Sequence, residues 1–235
     1  MTPKSPHTTV LLIGASRGLG LAMAEEYLNH GSRVVATVRS AQRTELHDLP
    51  DTAAGRLEIE HIDITVPEHI VDLHDRLASR TFDLLFVNAG VTQTNPEDTI
   101  ADISTEEFTR LMVTNALSPM RVIEGLEDLV APNGTIAVMS SGQGSIANNE
   151  SGNYEVYRGS KAALNMFMRS FAARHAGNPR TLLLMAPGWV RTDMGGPQAR
   201  LSIEESIPNL ANTLDMQAGR GGLQYLDYIG RKVPW

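Results

Sequence analysis

The sequence contains no cysteine, no long apolar run and fewer basic than acidic residues. Without cysteine the chain has no disulfide, thiolate zinc site, iron–sulfur centre or cysteine nucleophile, which suits a reducing compartment. Its 20 Lys and Arg against 27 Asp and Glu give a net charge of −7, which argues against binding to nucleic acid or to an anionic membrane. No apolar run approaches the ~18 residues that cross a bilayer. We therefore expect a cytoplasmic protein that binds neither nucleic acid nor membrane.

Strand-like and helix-like segments alternate along the chain. The predicted strands are 8–13, 33–38, 57–62, 82–87, 135–139 and 181–185, and the predicted helices are 19–29, 43–49, 68–79, 105–129 and 157–174. The strands are continuous apolar runs, which is typical of a parallel sheet covered by helices on both faces. The sequence therefore predicts an α/β fold with three α/β/α layers.

The chain shows no linker, repeat or change of composition, so we expect one domain over residues 1–235. After Pro187 the regular pattern gives way to Gly- and Pro-rich sequence with a weak helix over 202–214. Long loops that follow sheet strands often bind ligands. We expect a substrate loop at about 188–212.

A glycine-rich turn follows the first predicted strand. Gly14, Gly18 and Gly20 have the spacing G-x-x-x-G-x-G and lead directly into a helix. Glycines permit a tight turn, and the N–H groups at a helix start attract phosphate. The spacing differs from the commoner G-x-G-x-x-G, so an ordinary glycine-rich turn remains the alternative.

The residue after the second strand predicts the type of nucleotide. NAD-binding proteins of this class place a carboxylate there, ~20 residues past the glycines. Here the strand is followed by Arg39, and no carboxylate occurs until Glu45. Arg39 and Arg17 could clamp a 2′-phosphate, which predicts NADP(H) in preference to NAD(H). Two solvated surface arginines are the alternative.

Tyr157 and Lys161 are four residues apart in a predicted helix, so their side chains share one face. A nearby ammonium stabilises a phenolate and lowers the pKa of a tyrosine toward the range useful for proton transfer. The same spacing recurs at Tyr228 and Lys232, but Gly230 interrupts any helix there. The first pair is therefore the candidate acid/base pair.

Two further polar positions are candidates for the site. Ser140 and Ser141 directly follow a predicted strand, where a hydroxyl could bind a substrate carbonyl or simply cap a turn. Asn115 lies inside a predicted helix, four residues before Pro119. Because proline has no N–H, the Asn115 carbonyl lacks its usual helical partner and could bind water. A kinked helix with a surface asparagine is the alternative.

Taken together, these motifs resemble the short-chain dehydrogenase/reductase family, in the order that the family has them. Asn88-Ala89-Gly90 after the fourth strand and Pro187-Gly188 leading to Thr192 complete the set. The stretches 144–165, 188–196, 226–231 and 234–235 resemble the C-factor-like branch. The resemblance covers nearly the whole chain and implies a doubly wound, seven-stranded, mostly parallel Rossmann-type sheet. It also implies hydride transfer between a nicotinamide and a carbonyl or alcohol.

The resemblance implies a role for each catalytic candidate. Tyr157 would be the acid/base, Lys161 would lower its pKa and hold the nicotinamide ribose, and Ser141 would orient the substrate oxygen. Asn115 would hold a relay water through its main chain. The interval from Ser141 to Tyr157 is longer than is usual in the family, which leaves Ser145 as an alternative orienting serine.

The resemblance also implies a cofactor site that extends along the chain. Asp63 and Ile64 would border the adenine, residues 88–90 the adenosine ribose, and the segment from Pro187 the nicotinamide carboxamide. The predicted cofactor-binding residues are Gly14, Ser16, Arg17, Gly18, Leu19, Gly20, Arg39, Asp63, Ile64, Asn88, Ala89, Gly90, Tyr157, Lys161, Pro187, Gly188, Val190 and Thr192. We expect no metal, because no H-E-x-x-H motif or carboxylate cluster occurs.

The favoured hypothesis is an NADP(H)-dependent oxidoreductase that reduces small-molecule carbonyls. A nucleotide-binding signalling protein with little catalysis and an NAD-dependent alcohol dehydrogenase are the alternatives. The cluster of Met166, Phe167, Met168 and Phe171 covers more than one stripe of its helix. That apolar excess predicts a homodimer or homotetramer.

Overall fold

The computed structural model describes residues 8–40, 42–49 and 55–235. Seven strands form one parallel sheet in the order β3-β2-β1-β4-β5-β6-β7. They are β1 (Thr9–Ile13), β2 (Arg33–Val38), β3 (Leu57–His61), β4 (Phe82–Val87), β5 (Val130–Met139), β6 (Thr181–Ala186) and β7 (Gly222–Asp227). This confirms the predicted doubly wound, Rossmann-type sheet.

Helices cover both faces of the sheet. They are α1 (Gly18–Asn29), α2 (Pro67–Leu77), α3 (Thr105–Met112), α4 (Ser118–Leu126), α5 (Glu155–Arg174) and α6 (Ile203–Gln217). One apolar layer joins α2, α4 and α5 to one face, and a second joins α1 and α6 to the other. Alternate residues of each strand belong to opposite layers, as Leu11 and Leu12 do, because successive strand side chains point to opposite faces.

Several element boundaries differ from the sequence prediction. The predicted helix 105–129 is interrupted by a π-helical turn, Val113–Leu117, and ends in a 3₁₀ turn, Glu127–Leu129. Residues 43–49 contain only a 3₁₀ turn, Glu45–Asp48. Strand β5 begins five residues earlier than predicted. The sequence did not indicate this first part because Pro132-Asn133-Gly134 interrupts the apolar run. The weak helix is longer than predicted and contains Pro208.

The strand order brings several loops to one edge of the sheet. Strand β1 pairs with β2 on one side and with β4 on the other, so the crossover direction reverses at β1. In open α/β sheets ligands bind outside the carboxyl ends of the strands at such a switch point. The loops after β1, β4, β5 and β6 all leave from this edge. None of the helices in the described ranges is long and apolar enough to cross a membrane.

Candidate active site

The turn between β1 and α1 packs against the residues that follow β4. Gly14 has φ +89°, where L side chains are strained, and a Cβ on it would lie 2.8 Å from the Cβ of Ala89. The Asn88 side chain donates a hydrogen bond to the Gly14 carbonyl at 2.7 Å. A Cβ on Gly20 would lie 2.0 Å from the same carbonyl oxygen. Asn88 and Ala89 therefore brace the glycine turn.

Helix α1 begins at Gly18, so its first N–H groups belong to Gly18, Leu19 and Gly20. None of these side chains carries a hydrogen-bond acceptor, and the helix dipole favours an anion at this end. Ser16 is half-buried in the same turn, whereas Arg17 is exposed and its Nη1 lies 3.1 Å from Asp193 Oδ2. Exposed ion pairs of this kind contribute little to the stability of the fold.

Arg39 follows β2 directly and is exposed. Burial raises the pKa of the neighbouring Asp63 carboxyl, but hydrogen bonds from Thr65 and the positive charge of Arg39 outweigh burial and leave that pKa below its usual range. Ile64 is 6% exposed and belongs to the apolar layer with α2. Its side chain is therefore part of the core.

Tyr157 lies in the first turn of α5 and is half-buried, and the Ser141 side chain lies beside its phenol. Burial raises the pKa of Tyr157, and the neighbouring Ser141 side chain opposes this rise. The sequence predicted a pKa lowered by Lys161. The structure differs, because burial removes water from the phenolate and outweighs the other contributions.

Lys161 lies one turn further along α5 and is 3% exposed. Its Nζ donates a hydrogen bond to the Met139 carbonyl at 2.9 Å and lies 5.9 Å from the centre of the Tyr157 ring. Burial lowers the pKa of Lys161 to about 8, so the side chain is a cation at neutral pH. A buried ammonium thus lies beside the aromatic ring of the candidate acid/base.

Asn115 is fully buried in the π-helical turn, not on the surface. The turn forms where Pro119 cannot donate the usual helical hydrogen bond, and the Ser118 N–H donates to the Val113 carbonyl instead. The Asn115 side chain accepts from the Val91 N–H and donates to the Val91 carbonyl, both at 2.8 Å. It also donates to Ser160 Oγ at 3.0 Å. This side chain connects the β4 loop to α5.

The two candidate serines have different surroundings. The Ser141 hydroxyl is half-buried, accepts a hydrogen bond from the Gln143 N–H at 3.1 Å and contacts the Tyr157 phenol. Ser145 is 1% exposed, and its hydroxyl accepts from the Asn148 N–H at 3.2 Å. Of these two hydroxyls, the structure brings that of Ser141 to Tyr157.

The segment after β6 returns to the glycine turn. The Pro187 carbonyl accepts a hydrogen bond from Ser206 Oγ at 2.7 Å. Gly188 has φ +83°, and a Cβ there would lie 2.5 Å from Leu201 Cδ1. Val190 is buried and forms a bridge with Leu201. Thr192 Cγ2 lies 3.8 Å from the position of a Cβ on Gly18, so this loop reaches the start of α1.

Sequence reasoning missed three residues that hold these candidates. Gln93 is 2% exposed, and its Oε1 accepts from the Tyr157 N–H at 3.2 Å. Ser160 Oγ donates to the Tyr157 carbonyl at 2.7 Å and so joins Asn115 to the start of α5. Asp193 pairs with Arg17 across the site. No motif indicated Gln93 or Asp193, whereas Ser160 could have been noticed beside Lys161.

The chain matches the family model of the short chain dehydrogenases over residues 8–200. This protein belongs to the short-chain dehydrogenase family. It is therefore a short-chain dehydrogenase/reductase, an oxidoreductase, as the resemblance of its motifs implied. The match includes the glycine turn, the residues after β4 and the Tyr157–Lys161 pair.

Proteins similar to this short-chain dehydrogenase include one named C-signal and one named as reductase-like. It is 34% identical to the C-signal of Myxococcus xanthus over 155 residues, which cover 65% of this chain and 92% of that protein. It is 31% identical to the hydroxynaphthalene reductase-like protein Arp2 of Metarhizium guizhouense over 237 residues, which cover 98% of this chain and 85% of that protein. The likeness to C-signal supports the C-factor-like branch.

Solved structures of the family superpose closely on this short-chain dehydrogenase. A short-chain dehydrogenase/reductase from Burkholderia multivorans with bound NADP is 60% identical, with a TM-score of 0.95 over 98% of this chain and 100% of that one. A carbonyl reductase from Pseudomonas aeruginosa PAO1 in complex with NADP is 37% identical, with a TM-score of 0.89 over 97% of this chain and 99% of that one.

Proposed function

We propose that the protein is an NADP(H)-dependent carbonyl reductase in which Tyr157 gives its proton to the oxygen of a small-molecule substrate. The observation that carries the proposal is the buried ammonium of Lys161, 5.9 Å from the centre of the Tyr157 ring, with the Ser141 side chain beside the phenol. A phenol, a hydroxyl and a cation at one position can bind a carbonyl oxygen, protonate it and stabilise the phenolate that remains.

The residues at the switch point are suited to bind the phosphate groups of a dinucleotide. The start of α1 offers N–H groups without side-chain acceptors, and the exposed cations Arg17 and Arg39 follow the neighbouring strands β1 and β2. Arg39 would hold the 2′-phosphate, and Lys161 would hold the nicotinamide ribose. Bound NADPH would supply the hydride. The NADP-bound relatives favour the same cofactor.

Burial of Tyr157 suits the reductive direction. Its raised pKa keeps the phenol protonated at neutral pH, which is the form that an acid catalyst needs. After proton transfer, the Lys161 ammonium and the Ser141 hydroxyl would stabilise the phenolate. Solvent can then return a proton to it, because Tyr157 is only half-buried.

The exposed face of α5 supports a homodimer or homotetramer. Met168 and Phe171 are 0% and 1% exposed, as expected for the core, whereas Met166 and Phe167 are 59% and 43% exposed. A partner copy packed on this face would bury them. Sedimentation of the wild type against Met166→Lys would reveal such an assembly, since the charge should weaken it.

A signalling protein that binds NADP(H) with little turnover is the second candidate, and the likeness to C-signal is the observation that favours it. Such a protein has no need of an acid/base set. The presence of Lys161 and Ser141 beside Tyr157 favours the enzyme.

The experiment follows the oxidation of NADPH by purified protein in the presence of a panel of aldehydes, ketones and diketones, with NADH in parallel. The carbonyl reductase predicts turnover on panel members, with higher kcat/KM for NADPH than for NADH. Protein that binds NADPH but reduces no member of the panel would favour the signalling candidate. Faster turnover with NADH would contradict the predicted cofactor.

A further inference from the structure

Three side chains on α5 form a row that meets the end of β5. Tyr157, Lys161 and Asn165 are each one helical turn apart, so they share one face. The Tyr157 phenol lies beside the Ser141 side chain, and the Lys161 ammonium donates a hydrogen bond to the Met139 carbonyl. Asn165 is the third residue of the row and accepts a hydrogen bond from the Ser140 hydroxyl.

Asn165 joins β5 to the turn that follows Ser141. It is 3% exposed, and its Oδ1 accepts from Ser140 Oγ at 2.7 Å, while its Nδ2 donates to the Gly144 carbonyl at 3.1 Å. A Cβ on Gly144 would lie 3.0 Å from Asn165 Nδ2, so the turn lies directly against this amide. The amide therefore holds residues on both sides of Ser141.

Tyr225, on β7, also contacts the backbone of Ser141. Its phenol donates a hydrogen bond to the Ser141 carbonyl, which also accepts from the Gly144 N–H at 2.9 Å. Burial raises the pKa of Tyr225, and the nearby polar side chains of Asn165 and Ser140 oppose this rise. Tyr225 is 3% exposed.

Trp235 contacts both the ring of Tyr225 and the backbone of Ala147. Its ring centre lies 5.5 Å from that of Tyr225, and the Arg169 guanidinium lies 4.6 Å from the Trp235 ring centre. The Ala147 N–H donates to the Trp235 carbonyl at 3.1 Å. The segment from Ser141 to Ala147 is thus held by β7 and the residues that follow it.

We propose that Tyr225 and Asn165 are positioning residues that fix the backbone of Ser141, so that its hydroxyl stays on the Tyr157 phenol. The inference rests on the proposed reductase. A serine hydroxyl turns about a single side-chain bond, so its position is decided by the backbone that carries it. The Tyr225 hydroxyl binds the Ser141 carbonyl, and the Asn165 amide binds the Ser140 hydroxyl and the Gly144 carbonyl on either side of it in the chain. A shift of about 1 Å in such a group is enough to slow a reaction strongly.

The test uses Tyr225→Phe, which removes one hydroxyl and keeps the buried ring. Ser140→Ala removes a second member of the same network by a change of similar size. Tyr27→Phe is the matched control, because Tyr27 is a fully buried tyrosine whose hydroxyl lies 3.5 Å from Asp215, in the apolar layer between α1 and α6. All three variants lose one buried hydroxyl, and only the first two lose it next to Ser141.

Two measurements are made on each protein: amide hydrogen exchange of residues 142–147, and kcat with the KM for NADPH. For Tyr225→Phe and Ser140→Ala we expect exchange about fivefold faster and kcat about five- to tenfold lower, the effect of losing a hydrogen bond worth about 1 kcal/mol. The KM for NADPH should not change. Because the two hydroxyls act in one network, the double variant should lose less than the product of the single effects.

Normal exchange in Tyr225→Phe, or faster exchange with normal kcat, would overturn the proposal. Equal losses of kcat in Tyr225→Phe and Tyr27→Phe would also overturn it, since the effect would then be one of general stability. A wild type that reduces no carbonyl would refute the reductase, and the exchange data would still decide whether Tyr225 holds the backbone of Ser141.

Discussion

The buried Lys161 ammonium donates a hydrogen bond to the carbonyl oxygen of Met139, with 2.9 Å between Nζ and O. A cation that is 3% exposed costs stability, because one carbonyl replaces only part of its hydration. The cost appears as the lowered pKa of about 8. A folded protein that keeps such a cation beside a phenol has a group suited to chemistry rather than to stability.

The first prediction is that Lys161→Met is more stable than the wild type at pH 7. Unfolded lysine has a pKa of ~10.4, so below pH 8 both states are charged and the wild type bears the full cost of burial, roughly 3 kcal/mol. Loss of the bond to Met139 subtracts about 1 kcal/mol, which leaves the variant about 2 kcal/mol more stable. Between about pH 8 and 10 the folded wild type loses its proton first, so the advantage should shrink.

Denaturant unfolding at a series of pH values measures this, with Lys232→Met as the control, because Lys232 is exposed. An advantage of Lys161→Met that is absent at pH 7, or constant up to pH 10, would contradict the buried cation.

The second prediction concerns the pH dependence of reduction. Tyr157 stays protonated through neutral pH because burial raises its pKa, so it does not limit the rate there. Lys161 loses its charge at about pH 8, after which the phenolate formed in the reaction lacks its cation. The kcat for reduction should therefore be constant below about pH 7.5 and fall above pH 8. A profile that stays flat to pH 10 would show that the ammonium is not needed.

The third prediction is that Asn115→Ala loses both stability and activity. The substitution removes three hydrogen bonds and leaves the half-buried Val91 N–H and carbonyl without this partner. We expect a loss of about 3 kcal/mol in the free energy of unfolding, at about 1 kcal/mol per bond. The exposed Asn29→Ala is the control and should change stability by less than about 0.5 kcal/mol. A loss below about 1 kcal/mol would show that the asparagine does not join the β4 loop to α5.

The fourth prediction is that Arg39→Ala weakens the binding of NADPH about tenfold or more and leaves the binding of NADH unchanged. A charge-assisted hydrogen bond to phosphate contributes about 1.5–3 kcal/mol. Arg33 is exposed at the opposite end of β2, so Arg33→Ala is the matched control. Fluorescence titration of both nucleotides gives the dissociation constants. Equal weakening of NADPH and NADH would contradict a role for Arg39 in reading the 2′-phosphate.

The sequence predicted the sheet well because parallel strands between helices are continuous apolar runs. Strand β7 was predicted only through the family resemblance, since Gly222, Gln224 and Asp227 interrupt its apolar pattern. Helix α5 begins two residues before Tyr157, directly after Tyr154, whose φ of +57° changes the direction of the chain. A tyrosine rarely adopts this conformation, so the sequence did not predict where the helix begins. Pro119 did indicate an irregular helix, and the π-helical turn forms there.

Local spacing also explains which parts of the candidate site were predictable. The contact of Lys161 with the Tyr157 ring follows from four-residue spacing on one helix. The contacts of Ser141 with Tyr225, and of Arg17 with Asp193, join residues far apart in the chain and depend on how the loops pack. The raised pKa of Tyr157 was also missed, because burial is a property of the folded chain.

The most direct test of the account is the rate of NADPH oxidation by Tyr157→Phe with the best carbonyl of the panel, together with the dissociation constant for NADPH. The account predicts a kcat at least about a hundredfold below that of the wild type, the usual contribution of a general acid, with NADPH bound equally well. A kcat close to that of the wild type would contradict the role of Tyr157 as the proton donor.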